Sequence, residues 1–481
     1  MKKCLLFFWL ALCSATLPAQ NLITSTFLGS KTQAQLTSEF NVPFIQFGAR
    51  YYRVSYTTLN LEGVTDTVSG LIIVPDNASK VYPRLLYQHG TSGNKQDVPS
   101  VNVLQGGEGR IGWLFAGLGY VSLMPDYLGL GVSDDVFHPY VHAASEASVA
   151  IDMLRALPAF EAQYQIHTNE QLFLTGYSQG GHAAMALHRE IETNLPGEFT
   201  VTAAAPMSGP YSIGDVMRSL ILSNDVYYYP AYIPNTALSY QTVYGTIFNE
   251  LGDIFKPAYA APIQQFYDGV IDLSELNETL INLLIDNEGA CIPTKMIQPD
   301  VLAAVQSNPD HPINIALRDN DVYHWAPQAP TRLFYCMADD QVPFENSLLA
   351  RDTMVARGAA DLIANDVSPT SDHGGCVVPA LTQTLFFFLV YQQIETYSSA
   401  TEPDAQRLVL SPNPAGSSVQ FENADERALL NIFTSEGRLC FEKRLTVGTQ
   451  RIEVQDWPEG VYFVQIQSAG STRVGKLYIQ H

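Results

Sequence analysis

Between Tyr51 and Ala205, short apolar runs stop abruptly at Gly, Pro or Asp and give way to stretches of helical periodicity. Strands are expected at Tyr51–Tyr56, Leu71–Pro75, Arg84–Gln88, Tyr120–Met124, Gln171–Thr175 and Val201–Ala205. Helices are expected over Val149–Leu157 and from Gln179 to about Asn194. This alternation predicts a mostly parallel sheet with helices covering both faces. The rhythm breaks over about 211–329, where helical patterns rich in Tyr and Phe replace strands, and resumes with Arg332–Met337, Asp361–Ala364 and a helix over Leu381–Ile394. The fold expected for residues 21–397 is therefore α/β, with a large helical insertion capping the sheet. A polar linker at 398–405 follows, and residues 406–481 show short alternating strands between turn signals such as Glu436-Gly437 and Glu459-Gly460. That pattern predicts a small all-β sandwich.

Residues 1–20 stand apart: Lys2 and Lys3, an apolar run over Leu5–Leu12, then small and polar residues to Pro18-Ala19-Gln20. This is the layout of a secretory signal peptide, and its apolar run is shorter than the ~20 residues of a spanning helix. No later stretch reads as long and apolar enough to span a bilayer, so no integral membrane segment is expected once the leader is removed. The 481 residues carry 26 basic and 48 acidic side chains, a formal charge of −22. That balance excludes nucleic acid as a partner, because phosphate binding needs clustered Lys and Arg. Six cysteines are too few for a disulfide-built scaffold. Loss of the leader leaves Cys291, Cys336, Cys376 and Cys440 in an oxidising setting. A bridge from Cys376 to Cys291 would staple the His373 loop to the insertion; two free thiols are the alternative. No cluster of His, Cys and carboxylates has metal-ligand spacing and no phosphate loop occurs, so neither metal nor cofactor is expected.

The chemistry is carried by three loop positions. Gly176-Tyr177-Ser178-Gln179-Gly180 lies between an apolar strand and a helix, the context in which a G-x-S-x-G turn lifts a serine above a sheet. A serine hydroxyl needs a base to take its proton, and in this architecture the chain order is nucleophile, acid, base. Asp339 opens the loop after Arg332–Met337 and is the preferred acid, with Asp340 as the alternative. Beyond residue 340 the chain holds two histidines, His373 and the terminal His481. His373, in the loop before the last helix, is therefore the expected base. A tetrahedral oxyanion needs two converging backbone N–H groups. The Gln179 amide is one; the second is expected from the loop Gln88–Gly93, at Thr91 or alternatively Gly90. His89 is read as a structural hydrogen-bonder.

These segments resemble an α/β-hydrolase, and within it the secretory-lipase-like esterases. The resemblance rests on Tyr87-Gln88-His89-Gly90-Thr91, Pro125-Asp126-Tyr127-Leu128-Gly129-Leu130-Gly131, His138-Pro139-Tyr140, Gly176–Gly181 and Asp339–Pro343. It implies carboxylic-ester hydrolysis with Ser178 as nucleophile, Asp339 as orienting acid and His373 as base, and an insertion acting as a lid over an acyl pocket. The partner it implies is a small-molecule or lipid-like ester. A rival on the same fold is a serine aminopeptidase, which would need acids such as Glu275, Glu278 or Asp286 to grip a peptide N-terminus. A second rival is a non-catalytic surface binding protein. The C-terminal segments Leu408–Ala415, Gly460–Val464 and Lys476–Ile479 are similar to the sorting domain of type IX secretion. That resemblance implies passage across the outer membrane through this machinery, with release or surface anchoring.

Overall fold

A computed structural model describes residues 21–397, 408–468 and 471–481; the leader and the 398–405 linker lie outside the described residues. The main sheet is built from β1 (Leu22–Lys31), β2 (Ala49–Leu59), β3 (Thr65–Pro75), β4 (Lys80–Gln88), β5 (Val121–Pro125), β6 (Thr168–Tyr177), β7 (Ala203–Met207), β8 (Thr331–Tyr335) and β9 (Leu362–Asp366). Their spatial order is β1-β2-β3-β5-β4-β6-β7-β8-β9, and the short β10 (Glu395–Thr396) pairs with β4. From β5 to β9 every neighbour is parallel, whereas β1, β2 and β3 form an antiparallel edge.

Alternate residues of the parallel strands face two different cores. Leu86, Leu172 and Leu174 pack with Leu154, Phe160 and Met185 from the helices Ala143–Tyr164 and Gln179–Asn194. Leu85, Tyr87 and Phe173 pack on the other face with Trp113, Phe115 and Phe388 from Gly109–Gly117 and His373–Tyr391. Burial on both faces explains why these strands read as continuous apolar runs. Parallel strands present their C-terminal ends at one rim, so the loops after β4, β6 and β8 meet there.

The insertion forms a separate helical core around Leu238, Phe255, Ile263, Leu276 and Leu280. The C-terminal region is all antiparallel. There β11 (Ser418–Asn423) pairs with β14 (Gly448–Glu453). A second sheet runs β13 (Leu439–Arg444), β12 (Leu429–Thr434), β15 (Gly460–Ser468), β16 (Ser471–Ile479).

Two expectations need correction, and one strand lies outside the expected pattern. The Ser- and Thr-rich edge strand β1 is half-exposed and gives no clear apolar period, so it was not legible. The last helix begins at His373, not Leu381, because Asp372 Oδ1 accepts the Gly375 N–H at 2.7 Å and caps a turn that its glycines disguise as loop. That helix, His373–Tyr391, is also long and apolar enough by composition to cross a membrane. Its apolar length is used instead against the sheet, where Cys376, Ala380 and Phe388 are fully buried.

Candidate active site

The turn after β6 is the tightest in the site. Ser178 has φ 59° and ψ −122°, a strained conformation for a residue with a side chain. A Cβ at Gly180 would strike the Gln88 carbonyl of β4, and one at Gly176 would strike the Gly180 and Gln88 carbonyls. Glycine at both positions is thus what lets β6 turn directly into a helix beside β4. The Ser178 N–H donates to the Met207 carbonyl at 3.0 Å, which ties the turn to β7. Ser178 is among the residues that line a cavity described below.

Asp339 and His373 meet at the neighbouring strand ends. The His373 ring nitrogen Nδ1 lies 2.7 Å from Asp339 Oδ2, and the two side chains are 7% and 1% exposed. The second oxygen of Asp339 accepts the Gln341 and Val342 amides, which fixes the carboxylate in its turn. Asp340 is exposed and does something else: it accepts the His373 backbone N–H at 3.1 Å and the Tyr229 hydroxyl at 3.0 Å. The geometry thus separates the two adjacent acids. The Tyr177 ring packs 5.0 Å from the imidazole, and its hydroxyl donates to the His373 carbonyl. The His373 side chain is thus tied to the residue that precedes Ser178 in the chain. No hydrogen bond joins Ser178 Oγ to the imidazole.

Cys336 bridges Cys376, and Cys291 is a buried free thiol. The expected Cys291–Cys376 pair is thus replaced, because β8 and the His373 helix pack directly on each other while Cys291 lies in the separate core of the insertion. The bridge has a visible logic in the chain: Cys336 precedes Asp339 by three positions and Cys376 follows His373 by three.

On the other side of Ser178, the Gln179 N–H is the first amide of the helix Gln179–Asn194 and has no partner among the described residues. The Thr91 amide is likewise unpartnered among them. The Gly90 amide is not free, since both oxygens of Glu108 accept it at 3.0 Å. Of the two amides expected from this loop, Gly90 is thus already engaged and Thr91 is not. Glu108 also accepts the Tyr87 hydroxyl at 2.8 Å, and Thr91 Oγ1 donates to the Tyr140 hydroxyl at 3.3 Å. His89 is buried and stacked on Tyr127, as a structural residue would be.

The cavity that Ser178 helps to line encloses about 1140 Å³ of empty space, adjoining open solvent included. Its wall is almost wholly apolar and comes mainly from the insertion, with Ile213, Met217, Ile233, Phe255, Leu302 and Leu317 among the lining. Arg218 is the one charged residue in that wall, and its guanidinium donates to Asn314 Oδ1 and the Val305 carbonyl. Glu275, Glu278 and Asp286 lie exposed on the helix Leu273–Glu288, and none lines the cavity. Tyr140 and Tyr232 stack at the cavity wall, while the Tyr227 and Tyr232 hydroxyls donate to Gln341 and tie the insertion to the acid loop. Among the described residues no group of His, Cys, Asp and Glu could hold a metal ion.

The order and pairing of the main strands are those of the α/β-hydrolase fold. The structure is similar to the rice cell wall degrading esterase LipA from Xanthomonas oryzae, with 30% identity and a TM-score of 0.67 over 78% of this chain and 98% of that one. It is also similar to a putative hydrolase from Legionella pneumophila, with 25% identity and a TM-score of 0.68 over 77% and 98%. Candida antarctica lipase A, at 14% identity and a TM-score of 0.58 over 78% and 82%, bears on the fold alone. Residues 410–480 match the family described as the secretion system C-terminal sorting domain. No curated protein is significantly similar in sequence. The chain therefore belongs to the secretory-lipase-like esterases of the α/β-hydrolase family and ends in a type IX secretion sorting domain. It is a hydrolase exported by that route to the cell surface or the extracellular space.

Proposed function

We propose that the protein is a serine carboxylic-ester hydrolase working through an acyl-enzyme. His373 takes the proton of Ser178 as the hydroxyl attacks the ester carbonyl. The Gln179 and Thr91 amides receive the oxyanion, and the imidazolium protonates the departing alcohol. Water then resolves the acyl-enzyme through the same histidine. Asp339 keeps the proton of His373 on Nδ1 and stabilises the charge that forms on the ring. The observation that carries this reading is the 2.7 Å contact between His373 Nδ1 and the buried Asp339 carboxylate, at the rim where Ser178 helps to line an apolar cavity.

The wall of that cavity suits an acyl chain and offers no carboxylate to a peptide N-terminus. The insertion at about 211–329 then acts as the lid. The similarity to a cell wall degrading esterase points to ester groups as the bond attacked. In this reading 1–20 is a removable leader, 21–397 the catalytic domain, 398–405 the linker and 406–481 the sorting domain, whose partner is the type IX machinery.

The test is hydrolysis of p-nitrophenyl esters from C2 to C16, beside amino-acyl anilides. Ester turnover, lost in folded Ser178→Ala, is expected. Substantial turnover remaining in that variant contradicts the assignment, and preference for the anilides contradicts the ester class.

A further inference from the structure

Directly beneath the candidate nucleophile lies a set of buried polar side chains that the mechanism above does not use. Gln179 is 1% exposed. Its side-chain nitrogen Nε2 lies 2.9 Å from Glu146 Oε1 and 2.9 Å from His138 Nε2. His138 Nδ1 lies 2.8 Å from the Leu128 carbonyl, which can only accept, so the ring proton sits on Nδ1 and Nε2 accepts from Gln179. Burial pulls His138 down to about 4, which keeps the ring neutral and Nε2 an acceptor in neutral solution. Both hydrogens of the Gln179 amide are thus claimed by acceptors from two separate segments.

Glu146 is itself held. Its Oε2 lies 2.8 Å from His182 Nδ1, and His182 Nε2 donates to the Asn320 carbonyl at 2.8 Å. One proton therefore resides between Glu146 and His182, both at most 1% exposed. Asn320 follows the last helix of the insertion, and its Oδ1 accepts the Ala143 N–H at the start of the Glu146 helix. Gln179 Oε1 has no partner among the described residues. A buried amide oxygen left unpaired is destabilising, because it has lost its water partners without replacement. Packing alone would favour an apolar side chain at 179, so the polar clamp calls for a role other than stability.

We propose that Glu146 and His138 are positioning residues for the anion hole: by clamping the Gln179 side chain they fix the direction of its backbone N–H. The peptide between Ser178 and Gln179 is the one whose rotation would relieve the strain at Ser178. Strain of this kind persists only where surrounding contacts over-determine the conformation. Gln179 supplies those contacts on the far side of the same peptide from the substrate. The inference rests on the serine-esterase reading.

The test is a double-mutant cycle on kcat for a p-nitrophenyl ester, with Gln179→Met, Glu146→Leu and the pair, and with Ser178→Ala run beside them. Gln179→Met keeps the backbone N–H and removes the clamped amide. Each single variant is expected to lower kcat about tenfold with KM changed less than about twofold. The pair is expected to be no slower than the slower single, because both act through one side chain. Glu146→Gln is expected to recover most of the loss, since one amide can accept from Gln179 and donate to neutral His182. If Glu146→Leu fails to fold, His138→Phe takes its place in the same cycle, keeping the stack on Tyr127. Multiplicative losses, unchanged kcat in the single variants, or losses confined to KM and thermal stability overturn the inference. Activity surviving in Ser178→Ala overturns the underlying reading instead, so the two failures are distinct.

Discussion

The two halves of the candidate catalytic rim are held by different means. On the acid–base side, a covalent bridge joins the strand before Asp339 to the helix that begins at His373. On the proposed anion-hole side there is no covalent tie among the described residues, and carboxylates do the holding: the half-buried Glu108 on the Gly90 amide and the buried Glu146 on the Gln179 side chain. The difference follows from topology. Asp339 follows β8 and His373 opens the helix that comes after β9, at the outer part of the sheet. Ser178 and Thr91 follow β6 and β4, adjacent strands near the centre, whose ladder already fixes their spacing. The edge loops need a long-range tie, whereas the central ones need only orientation.

The sharpest way to break this picture is at the two adjacent acids. Asp339→Asn is expected to lower kcat by about 10³–10⁴-fold, since it removes the partner that selects the tautomer of His373. Asp340→Asn leaves the ring contact intact and is expected to cost less than about tenfold. Comparable losses in the two variants, measured on one ester, would erase the distinction between them.

Next in size is the bridge. Cys336→Ser with Cys376→Ser is expected to lower stability by about 2–5 kcal/mol and to slow the ester reaction. Denaturant unfolding with and without reductant measures the effect. Wild type should respond to reductant, the double variant should not, and Glu146→Leu should respond as wild type does. Equal reductant sensitivity in all three would mean that the acid–base side does not depend on the disulfide.

The smallest expected effect concerns pH. His138 titrates near 4 in the folded chain, below the ~6.5 of a free imidazole. As pH falls through 6.5 the unfolded chain gains that proton first, so stability is full above this value and declines as pH falls toward 4. His142 is depressed in the same direction by burial and adds its own slope. His138→Asn should therefore make the decline shallower by up to one proton, worth about 3 kcal/mol across the interval. An unchanged slope would mean that His138 is not held neutral by its surroundings.

Much of this architecture is written locally. The runs ending at Gly176, Pro125 and Gly90 announce parallel strands, and the glycines around Ser178 announce the turn. Chain order alone singles out His373 from His481, and the strand before Asp339 places that acid at a rim. What could not be read there depends on partners far apart in sequence. Glu146 looks like one acid on an amphipathic helix, yet its two oxygens meet residues from 179 and 182. Glu108 sits in a glycine-rich stretch that gives no hint of the Gly90 amide above it. Neither a Cys291–Cys376 pair nor two free thiols matches the bridge, because no local pattern shows that Cys336 and Cys376 pack on one face of the sheet. The matched three-residue offsets of Cys336 and Cys376 from the acid and the base were the signal available.

The central claim is that the hydroxyl of Ser178 is the nucleophile and His373 its base. Covalent labelling with a fluorophosphonate, mapped by mass spectrometry, tests it most directly. The account predicts one adduct, on the peptide that contains Ser178, formed in wild type and strongly slowed in His373→Ala. An adduct elsewhere, or labelling of Ser178 at an undiminished rate without His373, would contradict it.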